Sequence, residues 1–203
     1  MKPANMLSAA ATGLLFLALL LTAGCANREP PRYFTLEATK PNGSGESGPS
    51  IGLRPVEIPA YLRRSAIARE TADHELMINT QERWAEPLED GIRRVRALNL
   101  AATLPTNDVR RYPWTASRRP DVVITLQFME FEAAPSTARL VVEVEIAVGD
   151  TLAHSQLVSL STALPLDASG SEIAKAFSQL MRELAGVITP VIHQNTRDND
   201  TPS

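Results

Sequence analysis

Apolar and polar side chains alternate through DVVITLQF at residues 121–128 and again through RLVVEVEIAV at residues 139–148. Successive side chains of a β-strand point to opposite faces of the sheet, so this period of two predicts two strands that each bury one face and expose the other. The Gly149-Asp150 pair then predicts a turn, and residues 151–162 predict a weaker third strand. The sheet is therefore expected to have one face on a core and one face in water.

Shorter β-prone runs precede this region, and two amphipathic runs predict helices. The strands are expected at residues 32–37, 51–58, 65–70 and 75–79, with a Gly- and Ser-rich loop between the first two. The helices are expected at residues 87–103 and 169–192, where apolar residues recur at spacings of three and four. Candidate caps of the second helix are Asp167, Ser169 and Ser171. The predicted fold class is α/β: a single domain with a mixed or largely antiparallel sheet and two main helices packed on it.

The amino-terminal segment has the pattern of a secretory signal. Residues 1–24 contain one charged side chain, Lys2, and an apolar stretch that peaks over residues 14–21. That peak is shorter than the roughly 20 residues that a membrane-spanning helix needs. We therefore interpret residues 1–24 as a signal peptide rather than a transmembrane helix.

Cys25, the only cysteine of the chain, follows this segment directly. The run Thr22-Ala23-Gly24-Cys25 resembles the bacterial lipobox, although Thr22 stands where Leu is usual. The resemblance implies that Cys25 becomes the amino-terminal residue and carries a covalent lipid, which would anchor the protein to a membrane. The alternative is an incidental cysteine in a leader. In lipoproteins of this type an Asp after the cysteine favours inner-membrane retention, so Ala26 favours the outer membrane.

The remaining chain divides into three parts. Residues 25–32 are interpreted as a lipidated tether, residues 33–193 as one periplasmic domain, and residues 194–203 as a polar, disordered tail. Fully extended, the seven residues after Cys25 reach at most roughly 23 Å. The domain is therefore expected to lie beside its membrane.

Composition excludes some classes of partner. The chain has 20 Lys and Arg and 23 Asp and Glu, and without Lys2 the net charge is −4. This charge and the absence of a basic stripe argue against nucleic-acid binding. Because the single cysteine is used for the lipid, no intrachain disulfide is expected.

The sequence offers no strong candidate for a catalytic, cofactor or metal site. His74, His154 and His193 lack the spacing of metal ligands, and His74 is more simply explained as part of an exposed polar turn. Glu143 and Glu145 share one face of a predicted strand and could form a carboxylate pair, but a solvated sheet face explains them equally. The basic run at residues 93–96 predicts the solvated face of the first helix, with contact to anionic head groups as an alternative.

Four short segments identify a family by their order and spacing. YFTL at residues 33–36, VEIPAYLRR at residues 56–64, RWAEPLEDGIRRV at residues 83–95 and RRYPW at residues 110–114 resemble the ABC-type transport auxiliary lipoproteins, the PqiC family. The likeness runs from the lipobox to the last helix. Trp84 and Pro87 mark the family but are expected to have structural roles, filling the core and starting a helix.

The resemblance implies a non-enzymatic lipoprotein in which residues 33–193 are the auxiliary domain. Such a protein works beside an MCE-domain protein, often with an ABC permease and ATPase, in moving lipids or other hydrophobic molecules between two membranes. It implies a docking role at the outer membrane and a possible homo-oligomer. The solvated sheet face and the loops near residues 58–62 are the expected contact surface. The alternatives are an envelope structural or assembly lipoprotein unrelated to transport, and an envelope hydrolase.

Overall fold

The computed structural model of the chain describes residues 29–41 and 48–199. Strands come first, a helix interrupts them, and a long helix ends the described chain. The elements are β1 (Arg32–Phe34), β2 (Ile51–Glu57), β3 (Ala66–Glu70), β4 (Leu76–Trp84), α1 (Leu88–Thr103), β5 (Val109–Arg111), β6 (Val122–Ala134), β7 (Thr137–Val148), β8 (Thr151–Ala163) and α2 (Gly170–Asn199). Short 3₁₀ turns occupy Ala60–Leu62 and Ala116–Arg118.

The larger of two sheets has five strands in the order β5-β2-β6-β7-β8. Strand β2 pairs in parallel with both β5 and β6, whereas β6, β7 and β8 form an antiparallel meander. The predicted mixed sheet is therefore confirmed. The meander turns are tight, and Ser136 and Gly149 adopt positive φ angles of 61° and 59°. Glycine suits such a position because it has no Cβ to clash with the backbone.

The smaller sheet has three strands in the order β1-β4-β3. Strand β1 runs parallel to the end of β4, and β3 runs antiparallel to its beginning. Strand β3 also contacts β6, and β1 contacts α2, so this sheet packs beside the larger sheet and its second helix.

The core lies between the large sheet and the two helices. Helix α1 contacts β2 and α2, and α2 contacts β7 and β8. The side chains on the helix-covered face of β6 and β7 are fully buried, as the alternation predicts; they include Val122, Ile124, Leu126, Val142, Val144 and Ile146. Glu143 and Glu145 lie half-buried on the opposite face. One face of the sheet is thus dry and the other is solvated.

A bulge explains why β6 is longer than predicted. The pairing of β6 with β7 shifts register between Phe128 and Glu130, and the strand then continues to Ala134. The extra residue changes which positions face the core, so Phe131 and Ala133 are buried beyond it. Strand β5 was not predicted, because its three residues carry no periodic signal and it is held by parallel pairing with β2.

Helix α2 begins with a capping box between Ser169 and Glu172. The Ser169 backbone N–H donates to Glu172 Oε2 at 2.7 Å, and the Glu172 N–H faces Ser169 Oγ at 3.4 Å. The helix ends at Asn199, so the prediction of a disordered tail from residue 194 is wrong for residues 194–199. Residues 194–197 are at least partly exposed, and the Thr196 hydroxyl donates to the Ile192 carbonyl at 2.9 Å within the helix. Residues 200–203 lie outside the described part.

The described residues contain two long helices, α1 and α2, and neither is long and apolar enough to cross a membrane.

Candidate functional site

The predicted lipidation site, Cys25, lies outside the described residues together with the signal peptide and the first residues of the tether. Lipidation of Cys25 therefore stays a prediction from the sequence. The described chain begins at Glu29, three residues before β1.

The three histidines are dispersed over the domain. His74 lies exposed in the turn between β3 and β4, where its Nδ1 is 2.6 Å from Glu70 Oε1. His154 lies half-buried on β8, opposite the buried Ile146, and His193 lies in the last turns of α2. Within residues 29–41 and 48–199, no three His, Cys, Asp or Glu side chains are grouped closely enough to hold a metal ion.

Two of the family-like segments meet in space. A pocket of about 360 Å³ is lined by Ile58, residues 63–65 and residues 84–89. Its apolar wall comes from Ile58, Trp84 and Leu88, and its charged rim includes Arg63 and Glu89. This volume falls in the lower range of small-molecule sites. The sequence predicted a contact surface near residues 58–62. Ile58 of that segment lines this pocket, and the contact itself stays a prediction.

Trp84 itself has a structural role, as expected. Its indole is buried and stacks on Phe177 of α2 with ring centroids 6.0 Å apart, and Phe177 stacks in turn on Phe131 at 4.0 Å. Pro87 takes the N-cap position of α1, and its carbonyl accepts the Asp90 N–H at 2.9 Å. These residues join the small sheet to the core and start the first helix.

Tyr61 ties the 3₁₀ turn to the large sheet. Its hydroxyl donates to Glu132 Oε1 at 2.9 Å. Burial, followed by the bond to Glu132, raises the pKa of Tyr61 above its ordinary value, and burial also raises the pKa of Glu132. Tyr61 therefore stays protonated and acts as a donor, which holds the 3₁₀ turn against β6.

The basic run on α1 differs from the prediction at one position. Arg93 is partly exposed and pairs with Asp90 at 2.8 Å, and Arg94 pairs with Glu86 at 2.5 Å while donating to the Leu36 carbonyl at 3.0 Å. Arg96, however, is only 3% exposed. The prediction that it belongs to a solvated helix face is wrong, because residue 96 follows Ile92 by one helical turn and faces β2.

The last of the four family-like segments, residues 110–114, lies beside Arg96. Trp114 contacts Gly52, where an added Cβ would lie 3.1 Å from the indole and 2.2 Å from Pro120. Tyr112 meets Trp114 edge-on at 5.2 Å and remains half exposed. The Arg54 guanidinium lies 5.8 Å from the centre of the Tyr112 ring. Arg111 and Tyr112 of this segment line a basic pocket that the sequence did not reveal.

The solvated face of the large sheet ends at β8. In the described residues β8 is an edge strand, since it pairs with β7 alone. Leu152 and Leu157 are 58% and 65% exposed on this strand, and Leu157 lies opposite Glu143. A long edge strand with exposed leucines beside carboxylates is suited to contact with another protein.

Sequence comparison identifies the class of protein that this fold represents. The model of the family described as "ABC-type transport auxiliary lipoprotein component" matches residues 34–189. That range holds most of the chain and all of its β-strands beyond β1, so the protein belongs to this family. The predicted family resemblance is thereby confirmed.

Individual relatives are more distant. Over 96 residues the chain is 26% identical to the intermembrane transport lipoprotein PqiC of Escherichia coli (strain K12), which covers 45% of this chain and 51% of the relative. The match thus spans about half the length of that curated relative. An equal match exists to the PqiC lipoprotein of Shigella flexneri.

Solved structures share the fold. A protein from Xanthomonas campestris superposes with a TM-score of 0.65 at 12% identity, covering 83% of this chain and 99% of its own. An uncharacterized protein superposes with a TM-score of 0.66 at 18% identity, covering 81% of this chain and 99% of its own. At these identities the likeness concerns the fold alone.

Proposed function

We propose that this auxiliary lipoprotein is anchored to the outer membrane through a lipid on Cys25 and docks an MCE-domain protein of an intermembrane transport system. The observation that carries the proposal is membership of the transport auxiliary family over residues 34–189. The intermembrane transport role that the PqiC relatives are named for supports it further. In this role the domain is a docking component without catalytic activity of its own.

The short tether gives the docking role its physical reason. Seven extended residues reach at most roughly 23 Å, so the domain cannot carry a molecule across the periplasm. A partner that spans the distance must come to it. The edge strand β8, with Leu152 exposed and Leu157 exposed opposite Glu143, is the first candidate contact for that partner. The second is the pocket lined by Ile58, residues 63–65 and residues 84–89, together with the adjoining turn Ala60–Leu62.

Site-specific photo-crosslinking in intact cells tests the docking proposal. A photoreactive amino acid at Leu157 or Ala60 is expected to capture an MCE-domain protein, identified by mass spectrometry. The matched control is the same amino acid at Arg182, an exposed position on α2 outside both candidate contacts. Repeated failure to recover an MCE-domain protein from any position would overturn the proposal and favour an assembly lipoprotein unrelated to transport.

The enzymatic alternative has its own test. An envelope hydrolase requires a nucleophile or base whose geometry and pKa suit the reaction. We expect the purified full chain to turn over neither lipid nor peptidoglycan substrates. Turnover that is lost on a point substitution, such as His154→Ala, would exclude the docking role as the main function.

The anchor is tested separately. Cys25→Ser is expected to leave the domain folded, because residue 25 precedes β1, but to release it from the membrane or leave the leader uncut. Mass spectrometry of the wild-type protein should show lipid on Cys25, and Ala26→Asp should move part of it to the inner-membrane fraction. An unmodified Cys25 in the mature protein would refute the anchor.

A further inference from the structure

A pocket of about 400 Å³ lies where β2, the first part of α1 and the end of β5 meet. Four of its lining side chains are arginines, and no acidic side chain lines it. The arginines are Arg54, Arg93, Arg96 and Arg111, and Tyr112, Pro55 and Leu53 complete the wall. The pocket is separate from the two candidate contacts for a transport partner.

Arg96 is the unusual member of this group. It is 97% buried, its Nη2 donates to the Arg54 carbonyl, and its Nε and Nη1 are buried without a hydrogen-bond partner. Burial, followed by repulsion from Arg93, lowers the pKa of Arg96 to about 10, so it still carries its charge near neutral pH. A buried charge that lacks both water and an acidic partner is costly to a folded protein.

The neighbouring arginines do not compensate this charge. Arg93 is paired with Asp90, whereas Arg54 and Arg111 contact no carboxylate among the described residues. Three of the four arginines that line the pocket, Arg54, Arg96 and Arg111, therefore have no carboxylate partner within the described residues. Elsewhere in the described domain arginines are commonly paired, as in Arg69–Glu82, Arg94–Glu86 and Arg119–Asp150.

We infer that this pocket binds a phosphoryl group, and that the bound anion supplies the counter-charge that the protein omits around Arg96. A planar guanidinium matches the oxygen atoms of phosphate with paired N–H donors. A phosphate ester carries up to two negative charges and three acceptor oxygens, which suits three arginines better than a single carboxylate does.

The shape of the pocket favours a phosphate ester over a bare ion. The half-exposed ring of Tyr112 and the side chain of Pro55 form an apolar side next to the guanidinium groups. That side can pack against the carbon atoms attached to the phosphate. A phosphate monoester of this kind is found in the head group of phosphatidic acid and in soluble compounds such as glycerol 3-phosphate. The inference does not depend on the docking role, because it uses different residues.

Titration calorimetry on the full chain in neutral detergent tests the inference. The probes are inorganic phosphate and glycerol 3-phosphate, with acetate and a hexaglutamate peptide as competitors of other chemistry. Native mass spectrometry then compares retention of phosphatidic acid, a phosphate monoester, with that of phosphatidylcholine, a phosphodiester. Preference for the soluble esters or for phosphatidic acid supports the phosphoryl site and tells which source it uses. Tighter binding of the peptide than of any phosphate would overturn it and indicate an acidic protein partner.

Substitutions locate the binding. Arg96→Met and Arg111→Met are each expected to lower the association constant about tenfold, the effect of losing one charge-assisted hydrogen bond. Arg182→Met removes the same charge from an exposed position of α2 and is expected to bind as the wild type does. Arg111 is exposed, so its variant is expected to fold even if the Arg96 variant does not. Wild-type affinity in Arg111→Met, or no saturable binding of any phosphate probe to the wild type, would refute the site.

Discussion

Two arginines of this domain, Arg69 and Arg96, differ in the partner that their guanidinium group contacts. Arg69 on β3 donates to Glu82 Oε2 at 2.5 Å, and Asn79 Nδ2 donates to the same oxygen at 3.2 Å. The other carboxylate oxygen of Glu82 accepts the Gly170 N–H at 2.9 Å. Arg96 on α1 is more deeply buried than Arg69, yet a backbone carbonyl is the partner found for it.

The difference separates a structural charge from an available one. Glu82 links β4, β3 and the first turn of α2, so the Arg69–Glu82 pair joins the small sheet to the second helix. No acidic side chain lines the Arg96 pocket, and Arg93 is the one of its four arginines that pairs with a carboxylate within the described residues, so positive charge remains available to a ligand. Removing a charge should therefore have opposite effects on stability in the two regions.

The largest effect is expected from Glu82→Gln. The substitution keeps the shape of the side chain but leaves Arg69 without its counter-charge, and breaking a largely buried pair destabilises a protein by about 3 kcal/mol. Chemical denaturation followed by tryptophan fluorescence measures the change. Glu57→Gln, at an exposed position on β2, is the control and should change stability by less than about 0.5 kcal/mol. Equal stability of the two variants would mean that the Glu82 region does not hold the small sheet.

The second prediction concerns close packing in the Arg96 region, where charge pairing does not stabilise the fold. Gly52→Ala would place a Cβ 2.2 Å from Pro120 and 3.1 Å from Trp114, so we expect a loss of about 2 kcal/mol from overpacking. Gly186→Ala on α2 meets nothing within 4 Å and should stabilise the protein by about 0.5 to 1 kcal/mol. Thermal unfolding of both variants checks the pair. A harmless Gly52→Ala would show that close packing is not what shapes this wall.

The third prediction concerns a substitution that should stabilise the protein instead of destabilising it. Arg96→Met fills the same space without a buried charge, so we expect a gain of about 1 kcal/mol, whereas Arg69→Met should lose stability because it leaves Glu82 unpaired. Denaturation at neutral pH without added phosphate measures both. A loss in the Arg96 variant comparable with that of Arg69→Met would contradict the distinction between the two regions.

The smallest effect concerns a carboxylate held by neutral donors. Asp121 Oδ2 accepts the Ser50 hydroxyl at 2.7 Å and the Ser50 N–H at 2.8 Å, and these bonds lower the pKa of Asp121 below 3.8. A lowered folded-state pKa stabilises the fold above the unfolded pKa, and this contribution is lost as pH falls through the folded value. Asp121→Asn should therefore lose up to about 1 kcal/mol at pH 7.

Denaturation over a pH series checks this dependence. The difference between wild type and Asp121→Asn should shrink as the pH falls below 3.8. A difference that is constant with pH would show that the charge of Asp121 does not matter.

Much of the fold follows from local patterns. The alternation over residues 121–128 and 139–148 predicted the meander and its dry face, because a strand imposes a period of two on any half-buried segment. Leu88, Ile92, Val95 and Leu98 predicted the buried side of α1 in the same way, and the first three are buried, whereas Leu98 is 36% exposed. The segments at residues 58–62, 83–88 and 112–114 carried the family resemblance, since they combine aromatic and proline residues in a fixed order.

The candidate sites were less accessible from sequence. The sequence predicted a solvent-exposed Arg96 because it lies close to Arg93 and Arg94 in the chain. Neighbours in sequence point in different directions around a helix, so Arg96 can be buried while they are partly exposed. The basic pocket is lined by residues 53–55, Arg93, Arg96 and residues 111–112. These become neighbours through the parallel pairing of β2 with β5 and the packing of α1 on β2. The exposed leucines of β8 likewise matter because β8 is an edge strand.

Sequence alone therefore determined much of the strand and helix pattern and the family, and it predicts a leader ending at Cys25, since each depends on residues close together in the chain. Tertiary structure established which charges are compensated. Whether an arginine has a carboxylate partner depends on strands and helices brought together from distant parts of the chain, and no local pattern records that proximity. Arg69 and Arg96 are the same residue type on regular elements. Only the packing of the domain gave Arg69 a carboxylate partner and left Arg96 with a backbone carbonyl.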